Sequence, residues 1–464
     1  MSEDSLAQAI GLVGYAIDGK GIGGVLKARI PDFRVEEIST KISLDPKGRF
    51  TAANITLTNW ETNRFVNKLA KACGISRNRI FFAGTKDKRA VTRQVFIIDA
   101  PKKRVAAVEM PDVEIEIIGR THQKLGFGNH KGNRFTIVAR GCAHSDGSPM
   151  TETEALNRIS AIEEKMGEAL GAGMFPNWIG PQRFGAGRPV TPVVGRHVVE
   201  EDWKNAVMAY LGMEGKENDD VSAFRKKIRE NGITEDSLVE IPNWLGFERE
   251  LIKHILQYPD DWVGAFRKLP NNLQLMTVHA LQSVVFNNTL NSRLVSGLSL
   301  SKPSVGDLVG RIDDAHQLEI SSLVQVEERT LQRIMRNCAM GRLAVTGQLP
   351  GSEMKKPSGE AEVIESTVLQ EMGLEDVTWI VERIRRLTTK GTRRALVTSF
   401  SEFQFETVPV AGPETMGEKW TKGVLEGDNW HPEGACIRFR FTLPSGSYAT
   451  TLLREFMRCP LHQL

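Results

Sequence analysis

Long apolar runs are missing from this chain. No stretch approaches the 18 or so residues that a membrane-spanning helix needs, so a helical span is not expected. Cysteine is scarce: Cys73, Cys142, Cys338, Cys436 and Cys459 are scattered, odd in number and without a CxxC pair. That excludes a zinc ribbon or a disulfide framework and points to reduced thiols in a cytoplasmic setting. The nine histidines show neither HExxH nor His-Cys spacing, so no metal site is expected. The first residues carry two acids and no basic stretch, which argues against a secretory signal. No internal repeat or low-complexity tract is present. The net charge is only +3, too small by itself to demand a polyanionic partner. What counts is how the basic residues cluster.

The 464 residues are 41% hydrophobic and 25% charged, ordinary for a folded chain with room for two or three domains. GKGIGG, Gly19 to Gly24, formally satisfies the dinucleotide fingerprint, which requires a following helix. Pro31 disfavours helix just before it, so these glycines are read as a turn into a strand leading to Lys27. ARIPDFRVEEI follows as a second extended segment. Thr62 to Ala72 places Phe65, Val66, Leu69 and Ala70 on one helical face, with Gly74 to end it. Val113 to Ile118 alternates as a strand, residues 121–134 read as a loop, and Phe135, Ile137 and Ala139 begin another strand. Thr151 and Glu154 form a capping box before a helix reaching Leu170. Segments 221–230 and 275–294 read as helices. Val377, Ile380, Val381, Ile384 and Leu387 also show helical spacing. After Gly391 the chain alternates again, with Ile437, Phe439 and Phe441 on one side. The simplest architecture is α+β, with a domain built from two distant parts, 1–186 and 390–464, around an inserted domain, 187–389.

The most informative stretch is RIFFAGTKDKRAVTRQVFIIDA, Arg79 to Ala100. Two apolar strands flank a loop in which Asp87 is enclosed by Lys86, Lys88 and Arg89. Adjacent cations favour the ionised form of a carboxylate. At ~4 Å and an effective dielectric of ~20, one such pair is worth about 4 kcal/mol before desolvation. Asp87 is thus a held anion at the rim of a sheet, and the same cations suit a polyanionic substrate. A solvated, charged hairpin loop is the alternative reading. A second basic cluster, RIRRLTTKGTRR (383–394), holds six cations including Arg393 and Arg394 and no acid. It reads as a solvated helix face or as a phosphate track.

AGTKDKRAVTRQ resembles the signature of the TruD family of tRNA pseudouridine synthases. The resemblance continues in the family's order through GIGGVLKARIPDFRVEE (21–37), KGNRFTIVAR (131–140), NWIGPQRFG (177–185), ALQSVVFN (280–287) and LPSGSYATTLLRE (443–455). It implies a pseudouridine synthase core with a mixed β-sheet, interrupted by a family-specific α+β domain. It implies an isomerase acting on tRNA, with uridine 13 as the usual target. No cofactor, metal or membrane is implied, and a monomer is expected.

Pseudouridine formation cleaves the bond from ribose C1′ to uracil N1, rotates the base and rejoins it through C5. The resemblance makes Asp87 the catalytic carboxylate, either attacking C1′ or abstracting the 2′ proton. It makes Lys27 the cation paired with that aspartate, a role for which Lys88 and Arg89 compete by proximity in sequence. It places Phe135 as a stacking surface for the uracil, where a strand phenylalanine is otherwise core. Asn133, two residues away on the same face, is expected to orient the aspartate or the loop. Lys86, Arg89, Arg183 at the first domain junction, Arg393 and Arg394 are expected to meet RNA. The rivals are a nucleic-acid glycosylase with the same carboxylate, and an RNA-binding or RNA-folding protein with no chemistry. The intact AGTKDKRA opposes the latter, since a pure binder needs no acid among phosphate-seeking cations.

Overall fold

The computed structural model describes residues 3–126, 128–185 and 187–464. The expected boundary after residue 186 therefore falls beside a residue outside the described ones, as does part of the expected 121–134 loop. The chain divides into two compact units. One comprises Ile17–Phe175, Asp313–Gln317 and Thr398–Leu464. The other comprises the N-terminal stretch to Ala16, Pro176–Ile312 and Leu318–Val397. The N-terminal stretch thus clusters with the middle of the chain, which the expected 1–186 unit did not anticipate. Among the described residues no helix is long and apolar enough to cross a membrane.

The first unit is built on a nine-stranded sheet. Its strands are β1 (Gly23–Val25), β2 (Phe33–Ser39), β3 (Phe50–Thr58), β4 (Ile80–Phe82), β5 (Val91–Ile98), β6 (Val113–Thr121), β7 (His130–Cys142), β8 (Ser401–Val408) and β9 (Cys436–Pro444). The order is β8-β9-β7-β2-β5-β3-β6, with β1 added to β7 and β4 to β5. Only β2 and β5 run parallel, so the sheet is mixed. The helix Thr62–Ala72 starts where Glu61 accepts hydrogen bonds from the Asn63 and Arg64 amides. Its Phe65, Val66, Leu69 and Ala70 pack on Ala53, Ile55 and Leu57 of β3 and on Phe96 and Ile98 of β5. Thr151 and Glu154 do form a capping box, ahead of the helix Glu152–Leu170. The strand β7 begins at His130, five residues earlier than its alternation suggested, so Asn133 is a strand residue and not part of a loop.

The second unit has a helical core around Asn271–Val295 and a four-stranded sheet. The helix expected across Val377–Leu387 does not form. Trp379 has φ +59°, a left-handed conformation that no α-helix accommodates. Only Arg385–Leu387 makes a short 3-10 turn. The apolar spacing there reported burial: Trp379, Val381, Ile384 and Leu387 are all buried in the helical core.

Candidate active site

Asp87 sits in the loop between β4 and β5, and the loop is pinned at several backbone points. Lys86 N–H donates to the buried Thr62 hydroxyl at 3.0 Å, at the start of the helix that packs beneath the sheet. Gly128 N–H donates to the Ala83 carbonyl at 2.8 Å, and Asn59 N–H to the Ala90 carbonyl at 3.0 Å. The Asp87 carboxylate is one-third exposed and lies 2.8 Å from the Lys27 ammonium. Sixty residues separate the two, and the fold makes them partners.

Lys27 follows β1 with φ +54°, in the left-handed region that a lysine enters at a cost of about 1–2 kcal/mol. Arg89 holds that conformation. Its Nε donates to the Lys27 carbonyl at 2.9 Å and its Nη2 to the Ala28 carbonyl at 3.1 Å. Gly417 N–H donates to the same Ala28 carbonyl at 2.7 Å. A Cβ on Gly417 would collide with Arg89 Nη2, so glycine there is what admits the guanidinium in this position. The Lys27 ammonium also lies 4.5 Å from the centroid of the Phe33 ring, a cation–π position.

Register brings an aromatic wall to the same side of the sheet. Val35 of β2, Phe135 of β7 and Phe441 of β9 lie in one cross-strand row. Phe135 stacks on Phe441 with centroids 5.4 Å apart and meets Phe33 edge-on at 6.5 Å. The next row holds Glu37, Asn133 and Leu443. Glu37 is buried and bonded to Lys86 Nζ at 2.7 Å and to the Ser39 hydroxyl at 3.0 Å. Asn133 Oδ1 is buried with no hydrogen-bond partner, as is His130 Nδ1. Burial, and secondarily the Lys86 charge, push the His130 imidazole below its ordinary pKa, with Glu37 opposing. His130 is therefore held toward its neutral form.

The structure brings Asp87, Lys27, Asn133, Phe135, Lys86 and Arg89 together in one unit, and it corrects several of their expected roles. Lys86 does not face solvent: its side chain is 8% exposed and committed to Glu37. Arg89 spends two of its donors on backbone carbonyls. Phe135 is only 7% exposed, because strands pair on both sides and Phe441 covers a ring face, so it is not an open platform. Arg393 is 3% exposed, on the inward face of a strand, and bonds Glu365, Thr346 and the Lys355 carbonyl. It is a buried ion pair, not part of a phosphate track. Arg394 is half-buried, bonded to Asn177 and set over the Phe286 ring. Lys390 pairs with Glu353 and Arg385 with Glu382. The basic run 383–394 is therefore dispersed among separate partners. Arg183 is half-buried in the 3-10 turn Pro181–Phe184, where its charge depresses the His279 pKa, second to burial.

Glu37, Phe33 and Phe441 were missed from sequence. Glu37 did leave a signal: in FRVEEI it takes an inward position of the alternation, where an acid needs a partner. Among the described residues no group of three or more His, Cys, Asp or Glu side chains could hold a metal ion.

The geometry has close company among known proteins. The family pattern described as tRNA pseudouridine synthase D (TruD) matches residues 9–456. The chain is 34% identical over 460 residues to a protein of Methanosarcina acetivorans named as a tRNA pseudouridine synthase D, covering 99% of this chain and 98% of that one. A Halobacterium salinarum protein of the same name is 32% identical, covering 98% and 97%. A crystal structure of a Methanosarcina mazei protein, titled as TruD, superposes with a TM-score of 0.81 at 30% identity, covering 100% of both chains.

Proposed function

The chain belongs to the tRNA pseudouridine synthase D family and is an isomerase of that kind, and from this premise we propose that it converts uridine 13 of tRNA to pseudouridine with Asp87 as its catalytic carboxylate. The observation that carries the reading is the Asp87–Lys27 pair at 2.8 Å, with the carboxylate one-third exposed and the ammonium set over the Phe33 ring. A carboxylate within reach of substrate is what attack at C1′ or proton abstraction at C2′ requires, and the ammonium fixes where it points. The isomerisation is redox-neutral. The C1′–N1 bond breaks, the base turns, the C1′–C5 bond forms, and the proton on C5 leaves as N1 gains one.

Lys27 holds the Asp87 carboxylate in place through the 2.8 Å contact and offers positive charge beside the leaving base. Asn133 Oδ1, a buried acceptor with no partner, suits an imide N–H such as that of uracil, because a donor there would satisfy it. Phe135 contributes from within the wall it shares with Phe33 and Phe441. Lys86 and Arg89 act as positioning residues, Lys86 for the loop and Arg89 for Lys27. Arg183 and Arg394 remain proposed RNA contacts of the second unit. The unit of 17–175 and 398–464 is proposed to do the chemistry, with the middle of the chain as the family-specific insertion. Every residue assigned to the chemistry lies in one unit of one chain, which supports action as a monomer. Scattered, unpaired cysteines support a cytoplasmic setting.

The test is to incubate the protein with bulk tRNA and map pseudouridine. The expected result is modification at position 13 by the wild type and none by Asp87→Asn, with the variant retaining tRNA affinity and melting temperature. Free uracil with an abasic RNA would make the protein a glycosylase. Full turnover by Asp87→Asn would remove Asp87 from the chemistry.

A further inference from the structure

A second charged concavity lies in the other unit and has no part in the site above. It is an open concavity of about 630 Å³ between the helix Glu328–Ala339 and the strands Leu308–Ile312, Leu318–Gln325 and the start of Leu343–Leu349. Ile334, buried at 4%, fixes the helix to the sheet. Arg329, Arg333 and Asn337 follow at intervals of four residues and so share the helix face that borders the cavity. Arg342 enters from the turn after the helix, tied by its N–H to the Asn337 carbonyl at 3.0 Å. Arg311 enters from the strand, directly opposite Leu343.

Four arginines thus border one cavity that contains a single acid, Glu327. Glu327 pairs with Arg329. Among the described residues the Arg311, Arg333 and Arg342 guanidinium groups have no carboxylate partner. All three are exposed. Three like charges converging on a concavity repel one another and add nothing to stability. A solvated face would spread them out; here the walls focus their field into one volume. Planar guanidinium forks suit phosphate oxygens two at a time. The cavity is far larger than one phosphate, as a run of sugar and phosphate needs. No aromatic side chain borders it, so it offers no platform for stacked bases.

We infer that this arginine pocket binds the sugar–phosphate backbone of the RNA substrate, without reading sequence. The inference rests on tRNA being the substrate. It gives the inserted unit a role in affinity that is separate from the chemistry.

The test is the triple variant Arg311→Ala, Arg333→Ala, Arg342→Ala in the full-length protein, with tRNA affinity titrated between 50 and 200 mM monovalent salt. Each phosphate contact contributes about 0.9 to the slope of log affinity against log salt. Loss of two to three contacts should flatten the slope by about 1.8–2.7. The affinity advantage of the wild type should then shrink roughly 12–40-fold across that range. The melting temperature should hold, because the three side chains are exposed. The single-turnover rate at saturating enzyme should also hold. The matching triple lysine variant should keep most of the salt slope. Superimposable titrations for wild type and triple alanine would overturn the inference. So would inorganic phosphate binding that the triple alanine variant loses while tRNA titrations stay unchanged, since the pocket would then hold a small anion. Failure here is separable from failure of the proposed chemistry. Wild type that binds tRNA with the expected slope yet forms no pseudouridine sinks the chemistry alone. Pseudouridine formation with an unaltered slope in the variant sinks the pocket alone.

Discussion

Arg89→Ala separates two accounts of one residue, because a phosphate ligand and a clamp on Lys27 lose different things. In the structure the guanidinium donates to the Lys27 and Ala28 carbonyls at 2.9 and 3.1 Å. Each such bond is worth about 1 kcal/mol net at an exposed site. Together they offset the roughly 1–2 kcal/mol cost of φ +54° at Lys27. Without them the lysine backbone should relax, and the ammonium should spend less time 2.8 Å from Asp87. A bias of about 1.4–2 kcal/mol corresponds to a roughly 10–30-fold slower chemical step. The assay is single-turnover pseudouridine formation at saturating enzyme, beside tRNA titrations in salt. The rate should fall by that factor while affinity and salt slope stay put. Gly417→Ala gives a second route to the same end, because its methyl would occupy the space of Arg89 Nη2. Arg89→Lys should rescue little, since one ammonium cannot reproduce the fork. In a Lys27→Ala background Arg89→Ala should have almost no further effect, the mark of residues acting as one unit. A normal rate with weaker binding and a slope flattened by about 0.9 would refute the clamp and restore Arg89 as a phosphate ligand.

Phe135→Ala should cost about 3–5 kcal/mol, because the ring is 7% exposed and packed on two others. For a unit of this size that is a fall of roughly 6–20 °C in melting temperature by calorimetry, and a shift under 3 °C would show that the ring is not core. Arg393→Ala should cost about 3–5 kcal/mol by leaving Glu365 buried and unpaired, with no change in the tRNA salt slope of the folded protein. A changed slope with an unchanged melting temperature would return Arg393 to a surface role. His130 titrates lower folded than unfolded, so the unfolded chain binds more protons near pH 6. Its contribution to stability is present above about pH 6.5 and lost as pH falls through the depressed native value. His130→Gln should therefore reduce the loss of melting temperature between pH 7 and 5, though only in part, because burial shifts His279 and His462 the same way.

What the sequence could reveal divides along a physical line. Periodicity reports burial, and burial fixed the helix at Thr62, the capped helix after Thr151 and most strands of the sheet, each with apolar residues facing one side. The same signal failed at Val377–Leu387, because an irregular segment can bury its apolar residues as fully as a helix does. Charge was harder to read. A run of cations in sequence carries no information about where the heads go, and side chains that are adjacent in the chain parted company in space. Lys86 turned inward to Glu37, Asp87 outward to Lys27, and Arg89 along the backbone of the very lysine it had competed with. Arg393 and Lys390, three residues apart, ended as a buried pair and an exposed one. The partners that decide these outcomes lie 28 to 62 residues away, so only the fold could supply them. The arginine pocket makes the same point from the other side. Arg311, Arg333 and Arg342 form no run that a reader of the sequence would notice. The sheet and its helix assemble them, and the cation cluster that was conspicuous in sequence is dispersed while the inconspicuous one converges.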